Sequence, residues 1–206
     1  NSKNLIETVS ANTPRIDFTD DVTGHLLLEP QSTNLIQYSE DFSQWNFSSG
    51  ASVESGYTAP DGSNTAYKVT GTIGNSSLFL PAVTSPTNAR TIWARTVSGT
   101  GTANLCSYGQ NTNNNFTITE QWQRFEVNST TTSIGETNFY GVDFRFEGAN
   151  PLTEVIIWGA QAEALPYATS YIPTLGSTAT RNADACNNSG SAQDFNSEEG
   201  VLFADI

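Results

Sequence analysis

The sequence predicts an all-β protein arranged as a sandwich or jelly roll, and three observations support this fold class. Apolar residues almost nowhere repeat with the 3.6-residue period of a helix over three turns. Residues that favour helices are scarce beside Thr, Ser, Asn and Gly. Short apolar or alternating segments recur along the chain with turn signals between them, as strands do in a β-sandwich.

The first half of the chain is predicted to be a polar arm followed by short strands. Residues 1–22 contain few apolar side chains and are predicted to form an extended arm. The apolar run at residues 26–28 predicts the first strand. Asp61 and Gly62 follow Pro60, and this sequence is typical of a turn. Further strands are predicted to begin at residue 34 and to cover residues 65–70, 77–80, 91–97, 103–108 and 116–119.

The second half is predicted to contain two half-buried strands and a closing strand. Residues 122–127 and 138–146 alternate in polarity, which is typical of strands with one buried face. Residues 155–158 form the continuous apolar run Val-Ile-Ile-Trp, and Gly159 follows them. Such a run predicts a closing strand that is buried on both faces.

The segment after the closing strand is predicted to fold back onto the sandwich. Pro166 and Pro173 interrupt any regular element there. Tyr167 and Tyr171 supply more apolar surface than an exposed linker needs. We therefore expect these aromatic side chains to pack over one end of the sandwich.

The composition changes after Gly176, and the chain is predicted to divide into four parts. Residues 1–22 are the arm, and residues 23–176 are the β-sandwich module. Residues 177–199 are rich in Ser, Ala, Asn and Asp, so they are predicted to be a linker. The apolar residues 200–206 are expected to begin a further β domain.

The chain is acidic, with 8 Lys and Arg against 21 Asp and Glu and a formal net charge of -13. This charge argues against nucleic acid and against an anionic membrane surface as partners, although solubility alone accounts for it. No segment approaches the roughly 18 apolar residues that a membrane-spanning helix needs, and none has the residue order of a signal peptide. We therefore expect no membrane insertion, and either export by another route or a cytosolic location.

The two cysteines and the single histidine are not expected to form a reactive site. Cys106 and Cys186 are 80 positions apart, a spacing that allows either one disulfide or two free thiols. Two isolated thiols do not form a metal-ligand cluster, and Cys106 is expected to be buried within a strand. A catalytic triad would have to use His25, whose apolar neighbours indicate a structural role instead.

Three groups of motifs resemble one family of proteins. The first group is GHLLLEPQSTNL at residues 24–35, YSEDF at residues 38–42, and Trp45. The second is APDGSNTA at residues 59–66. The third, which is the most specific, is IWGAQAE at residues 157–163, ATSYIPT at residues 168–174, and TR at residues 180–181. Together these motifs resemble the β-sandwich modules of bacteriophage head-spike, head-fibre and tail proteins.

This resemblance implies a jelly-roll β-sandwich similar to carbohydrate-binding modules. It also implies a protein of the virion surface, which becomes extracellular on lysis and needs no signal peptide. Such a protein folds in a reducing cytosol, which favours free thiols at Cys106 and Cys186. Modules of the family are often followed by a laminin-G-like or lectin-like β domain, which residues 200–206 would begin.

No catalytic site is expected in this chain. Glu40 and Asp41 are adjacent carboxylates, but neighbouring residues of a strand point to opposite faces and rarely share a substrate. The sequence contains no phosphate-binding loop, no zinc-ligand spacing and no nucleophile elbow.

A sugar-binding surface is predicted on three strands. Sugars are bound by aromatic rings that stack on their apolar faces and by planar polar groups that meet their hydroxyl groups. If the three strands are neighbours in one sheet, they present such a surface, formed by Trp93, Arg95, Tyr108, Asp143 and Arg145. The alternative is a solvated face held by salt bridges. The remaining tryptophans are expected to be structural, namely Trp45, Trp122 and Trp158.

A structural calcium ion is the cofactor that the resemblance implies. Sandwich modules of this kind often hold calcium through oxygen ligands near the first and last strands. In this chain Glu40, Asp41 and Gln161 would supply oxygens, and backbone carbonyl groups would complete the shell. The alternative is that capping or turn hydrogen bonds use the same side chains.

The sequence leaves three hypotheses for function. The first is a non-catalytic fibre or spike module that binds host surface glycans. The second is a purely structural module, a spacer or trimerisation element whose arm packs on neighbouring virion subunits in a homotrimer. The third is a sugar-binding module of a secreted glycosidase.

Overall fold

The computed structural model describes residues 6–10, 13–18, 22–48, 50–81, 87–108, 115–130, 139–145 and 148–185. In chain order its strands are β1 (Ile16–Asp17), β2 (His25–Leu26), β3 (Ser32–Asn34), β4 (Asn46–Phe47), β5 (Ser52–Tyr57), β6 (Ala66–Thr70), β7 (Ser77–Leu80), β8 (Thr87–Arg95), β9 (Gly101–Tyr108), β10 (Asn115–Ile118), β11 (Gln123–Thr130), β12 (Phe139–Asp143), β13 (Glu154–Glu163) and β14 (Ala179–Arg181). This part of the chain has one 3-10 turn, Phe42–Gln44, and no α-helix, so the predicted all-β class is confirmed. None of its residues lies in a helix long and apolar enough to cross a membrane.

Ten of these strands form two antiparallel five-stranded sheets. The β13 sheet has the order β11-β8-β13-β6-β5, and the β12 sheet has the order β10-β9-β12-β7-β4. Side chains from both sheets share one core, which includes Leu78, Ile92, Leu105, Val142 and Ile157. Burying an aliphatic side chain of this size contributes about 1.5–3 kcal/mol, so this shared core holds the sheets together. The arrangement is the β-sandwich that the sequence predicts.

β13 is the central strand of its sheet, and it is buried on both faces as predicted. Only its first residue, Glu154, is partly exposed. Ile157 belongs to the core between the sheets, whereas Ile156 and Trp158 belong to a second apolar cluster on the other face. Gly159 lies in a bulge between β13 and β8 and has φ +62°, a backbone conformation that favours glycine.

The segment after β13 folds back onto the sandwich, but only one of its two tyrosines packs there. The ring of Tyr171 lies 4.6 Å from that of Trp158, centroid to centroid, as expected. The expectation for Tyr167 is wrong, because this residue lies in a bend and its side chain is 48% exposed. The second cluster is therefore completed by Tyr171.

Two of the predicted boundaries, at residues 22 and 176, separate strands that pair with each other in the structure. β14 pairs with β3 in a separate two-stranded sheet, so residues 179–181 are a paired strand and not part of a linker. β1 pairs with β2 through Ile16 and Leu26, which crosses the expected end of the arm at residue 22. The linker beyond residue 185 and the strand expected at residues 200–206 lie outside the described residues.

A cluster of ion pairs joins the N-terminal and C-terminal segments of the described chain. Arg15 Nη1 lies 2.6 Å from Glu29 Oε2, and Arg15 also pairs with Asp184. Arg181 Nη1 lies 3.0 Å from the same oxygen of Glu29. The Asp184 amide also donates to the Glu29 carbonyl oxygen at 2.9 Å. The cluster thus holds the segment before β3 against the segment after β14.

Cys106 is fully buried in β9, as expected. Burial raises its pKa to about 12, because the apolar surroundings disfavour the thiolate. The thiol therefore stays protonated and unreactive near neutral pH. Cys186 lies outside the described residues.

Candidate functional site

The predicted sugar-binding surface is divided between the two sheets. Trp93 and Arg95 lie on β8 in the β13 sheet, where the neighbours of β8 are β11 and β13. Tyr108 and Asp143 lie on β9 and β12, which are neighbours in the β12 sheet, and Arg145 directly follows β12. The expected single surface is therefore wrong, because strand order separates β8 from the other two strands. The Tyr108 side chain lies outside the described part of the structure.

Asp143 and Arg145 form a closed ion pair. Arg145 donates from Nε to Oδ1 at 2.9 Å and from Nη2 to Oδ2 at 2.7 Å, and its backbone amide donates to Oδ1 at 3.1 Å. The Asp143 side chain is 0% exposed, whereas that of Arg145 is 32% exposed. The Ser107 hydroxyl donates weakly to Oδ2 at 3.4 Å. The alternative to a sugar site was a solvated face held by salt bridges. The salt bridge is present, but the Asp143 carboxylate is buried and not solvated.

Arg95 contributes to a groove beside Trp122, which we call the Trp122 groove. Its volume is about 530 Å³, and its walls are Ile6, Glu7, Thr58, Ala59, Pro60, Asp61, Gly62, Arg95 and Trp122. The Arg95 guanidinium lies 5.3 Å from the centre of the Trp122 ring. Trp93 is not part of this wall, and its ring packs against the second apolar cluster.

A second groove, the Tyr67 groove, lies beside β5 and β6. Its volume is about 410 Å³, and its walls are Glu40, Asp41, Ser55, Asn64, Thr65, Tyr67, Pro173, Thr174 and Leu175. Three parts of the sequence meet here: the segment around residues 40–41, the turn before β6 with its neighbouring strands, and the folded-back segment after β13. The groove therefore depends on the closing motif for one of its walls.

Glu40 and Asp41 both line the Tyr67 groove, which corrects the expectation that they point to opposite faces. They lie in an irregular segment before the 3-10 turn, so the alternation of a strand does not apply. Tyr171 donates its hydroxyl to Glu40 Oε1 at 2.9 Å. Tyr67 donates its hydroxyl to Asp41 Oδ1 at 3.0 Å. Each carboxylate is thus held by a tyrosine.

Asp41 also caps the 3-10 turn. Its Oδ1 accepts from the Ser43 hydroxyl at 2.5 Å and from the Ser43 amide at 3.2 Å. The Ser43 hydroxyl holds the pKa of the Asp41 carboxyl below its usual value. Asp41 therefore carries a negative charge throughout the neutral pH range.

Free polar groups remain in the Tyr67 groove. Within the described structure, Glu40 Oε2 has no hydrogen-bond partner, and neither does Asn64 Nδ2. Asn64 Oδ1 accepts from the Thr58 hydroxyl at 3.3 Å, which leaves the amide NH2 group available as a donor. The groove thus offers a carboxylate acceptor and an amide donor beside the Tyr67 ring.

The residues expected to bind calcium are not brought together in this groove. Gln161 does not line it. Gln161 Oε1 accepts from the Ile172 amide at 2.7 Å, and its Nε2 donates to Glu163 Oε2 at 2.7 Å. Among the described residues, no three His, Cys, Asp or Glu side chains are grouped as metal ligands. Calcium binding by Glu40 and Asp41 stays a prediction.

The closing motif forms a buried hydrogen-bond network that joins the chain ends of the module. Asn34 Nδ2 donates to the carbonyl oxygens of Ala160 and Ile172, at 3.2 and 2.9 Å. Asn34 Oδ1 accepts from the amides of Ile36 and Ala162, each at 3.1 Å. The most specific motif of the sequence therefore has a structural role, which the order of its residues alone does not reveal.

Sequence reasoning missed the groove residues Asn64 and Tyr67. Asn64 belongs to the motif at residues 59–66, which predicts a turn, and Tyr67 lies in an ordinary strand pattern. Neither carries a signal for binding, because the groove forms only when the segment after β13 packs beside them.

Comparisons with known proteins give similarity in structure alone. No model of a protein family matches the chain, and no curated protein is significantly similar in sequence. The CBM22-1 xylan-binding domain from Paenibacillus barcinonensis Xyn10C is similar at a TM-score of 0.45 and 13% identity, over 67% of this chain and 94% of that one. The family 11 carbohydrate-binding module from Clostridium thermocellum was solved with a β-1,3-1,4-mixed-linked tetrasaccharide. It is similar at a TM-score of 0.40 and 11% identity, over 70% of this chain and 97% of that one.

A phage protein is also among the similar structures. The enzymatically active domain of tailspike protein 4 from bacteriophage CBA120 is similar at a TM-score of 0.37 and 11% identity, over 63% of this chain and 21% of that one. With TM-scores below 0.5, these similarities do not establish membership of any of the three families. The β-sandwich fold rests on the strand pairing described above.

Proposed function

We propose that this chain is a non-catalytic module that binds glycans, and that the Tyr67 groove is its binding site. The observation that carries the proposal is the combination of groups in this groove: a carboxylate oxygen and an amide NH2 group without partners beside a tyrosine ring. The sequence motifs support a further proposal, that the module belongs to a phage fibre or spike and binds glycans of the host surface. In this proposal its location is the virion surface.

The groove has the size and the chemistry that a sugar needs. Its volume of about 410 Å³ lies within the usual range of small-molecule sites. Sugar hydroxyl groups can donate to Glu40 Oε2 and accept from Asn64 Nδ2. The Tyr67 ring and Leu175, whose side chain is 84% exposed, offer apolar surface to the C–H face of a sugar.

Substituting Glu40→Gln is expected to weaken glycan binding by about tenfold or more, because a charge-assisted hydrogen bond to the ligand is lost. The wild-type protein is first applied to a glycan array, and binding to the best glycan is then measured in competition with the free sugar. Glu154→Gln is the matched control, since it makes the same chemical change at the start of β13, outside the groove. Equal binding by wild type and Glu40→Gln would remove the Tyr67 groove as the site.

An assembly role is the second candidate, and the β1–β2 hairpin favours it. Ile16 and Leu26 face each other across the hairpin and are 44% and 51% exposed, while Leu28 and Val22 are 55% and 93% exposed. A hairpin with this much exposed apolar surface is suited to packing on another copy of the chain. We propose a homotrimer joined through this hairpin.

The assembly proposal predicts that Leu26→Lys converts a trimer into a monomer, because a buried lysine would oppose packing of the hairpins. Mass in solution, measured by sedimentation equilibrium, is the readout. Val97→Lys is the control, since Val97 is 42% exposed and lies in the segment after β8, which is not part of the hairpin. A wild-type protein that is monomeric at all concentrations would contradict the assembly role.

A further inference from the structure

Residues of one turn, 58–65, line both the Tyr67 groove and the Trp122 groove. Thr58 lines the Trp122 groove and Asn64 lines the Tyr67 groove, and the two side chains are hydrogen bonded to each other at 3.3 Å. Two backbone hydrogen bonds close the turn, from the Ala59 amide to the Ser63 carbonyl at 2.8 Å and from the Gly62 amide to the Ala59 carbonyl at 3.0 Å. One closed turn therefore supplies wall residues to both grooves.

The Trp122 groove has the chemistry of a second sugar site. Trp122 is held in place because its Nε1 donates to the Thr58 carbonyl oxygen at 3.3 Å and because Arg95 stacks on its ring. Arg95 Nη1 donates to the Thr96 carbonyl oxygen at 3.2 Å, and no carboxylate of the described residues forms an ion pair with Arg95. Its other N–H groups remain available to hydroxyl oxygens of a ligand.

The two grooves are complementary in their polar groups. The Tyr67 groove offers an acceptor at Glu40 and a donor at Asn64, whereas the Trp122 groove offers the several donors of Arg95. Both grooves also contain apolar surface, so each can take one part of a sugar chain. Four carboxylates and one cation line the two grooves together, namely Glu7, Glu40, Asp41, Asp61 and Arg95.

We propose that the Trp122 groove is a second subsite and that one extended, uncharged glycan chain occupies both grooves across the turn. This inference rests on the proposed function of the Tyr67 groove. The ligand is uncharged because a glycan carrying carboxylate or sulfate groups would meet the excess of carboxylates in the walls. Binding then depends on chain length, since only a longer chain reaches both grooves.

Titration calorimetry with oligosaccharides of defined length tests this inference. The probes are gluco-, xylo- and manno-oligosaccharides of two and six sugars, with oligogalacturonates of the same lengths as acidic counterparts. For the neutral series that binds, the six-sugar chain is expected to bind about tenfold or more tightly than the two-sugar chain. The oligogalacturonates are expected to bind more weakly than the neutral chain of equal length.

Variants of the Trp122 groove test whether this groove causes the gain in affinity with chain length. In Trp122→Ala the six-sugar chain is expected to bind only as tightly as the two-sugar chain does, while binding of the two-sugar chain is unchanged. Arg95→Ala is the second variant, in case loss of the Trp122 ring disturbs folding. Glu40→Gln weakens binding of both lengths, and Tyr167→Ala, which removes an exposed ring outside both grooves, changes neither.

Three results would overturn the inference and leave the proposed function standing. They are equal affinity of the wild type for two and six sugars, a gain with length that persists in both Trp122→Ala and Arg95→Ala, and tighter binding of the oligogalacturonates. Absence of binding to every probe also overturns it, and together with a negative glycan array it overturns the proposed function as well.

Discussion

Replacing Glu163 by alanine is expected to lower the free energy of unfolding by about 3 kcal/mol or more. The Glu163 side chain is 0% exposed and accepts four hydrogen bonds. Ser32 Oγ donates to it at 2.6 Å, Gln161 Nε2 at 2.7 Å and the Thr169 amide at 2.9 Å, and the Thr169 hydroxyl also donates. Alanine leaves the Ser32 hydroxyl and the Thr169 amide without an acceptor, and each such donor costs about 1–3 kcal/mol. Gln161 Nε2 and the Thr169 hydroxyl keep only longer hydrogen bonds, to the carbonyl oxygens of Thr169 and Ser170.

Urea unfolding followed by circular dichroism measures this effect. Glu154→Ala is the matched control on the same strand: Glu154 is partly exposed, so its replacement is expected to change stability by no more than about 0.5 kcal/mol. Glu163→Gln is expected to fall between the two, because the amide keeps one acceptor oxygen but turns an NH2 group toward the donors. A small effect for Glu163→Ala would show that the closing motif does not depend on its buried network.

Replacing Trp158 by alanine is expected to lower the free energy of unfolding by about 3–5 kcal/mol. Trp158 is 1% exposed and packs its ring against Tyr171, which in turn donates to Glu40. Its Nε1 also donates to Thr65 Oγ1 at 2.8 Å, and Thr65 is a wall of the Tyr67 groove. The substitution therefore leaves a cavity and also removes two supports of the proposed site.

Trp158→Phe separates these two contributions. The phenylalanine ring keeps most of the packing but cannot donate to Thr65, so a smaller loss of about 1–2 kcal/mol is expected. Thermal and urea unfolding of the three proteins, with glycan binding measured below the transition, are the required data. If Trp158→Ala unfolds like the wild type, Trp158 does not anchor the closing strand.

The strands could be predicted from the sequence because their signals are local. The run at residues 155–158 predicts a strand buried on both faces, and β13 has this property because it is central in its sheet and a second apolar cluster covers its outer face. Tyr171 packs as expected for the same reason, since an aromatic residue beside a covered sheet gains by burial. Tyr167 is also an aromatic residue in this segment, but it lies in a bend and is exposed. The residue types alone do not show which of the two tyrosines is buried.

The candidate site could not be predicted because it depends on which strands become neighbours. Trp93 and Arg95 share one face of β8, and Asp143 lies on β12. These strands belong to different sheets, which their local sequence patterns do not indicate. The pairing of β14 with β3 is likewise a long-range contact, and the polar composition of residues 177–199 conceals it.

The alternation of a strand does not describe Glu40 and Asp41. Alternation requires a regular strand. These two residues lie in an irregular segment, where consecutive side chains can share one groove. Their environment, with a tyrosine hydroxyl on each carboxylate, follows only from the packing of Tyr67 and Tyr171.

NMR titration of isotope-labelled protein with the neutral glycan that binds best tests whether the Tyr67 groove is the binding site. If it is, we expect saturable chemical-shift changes at the side-chain amide of Asn64 and at the backbone amides of Glu40 and Tyr67. Shifts concentrated around Asp143 and Arg145, on the β12 sheet, with none in the Tyr67 groove, would contradict this expectation.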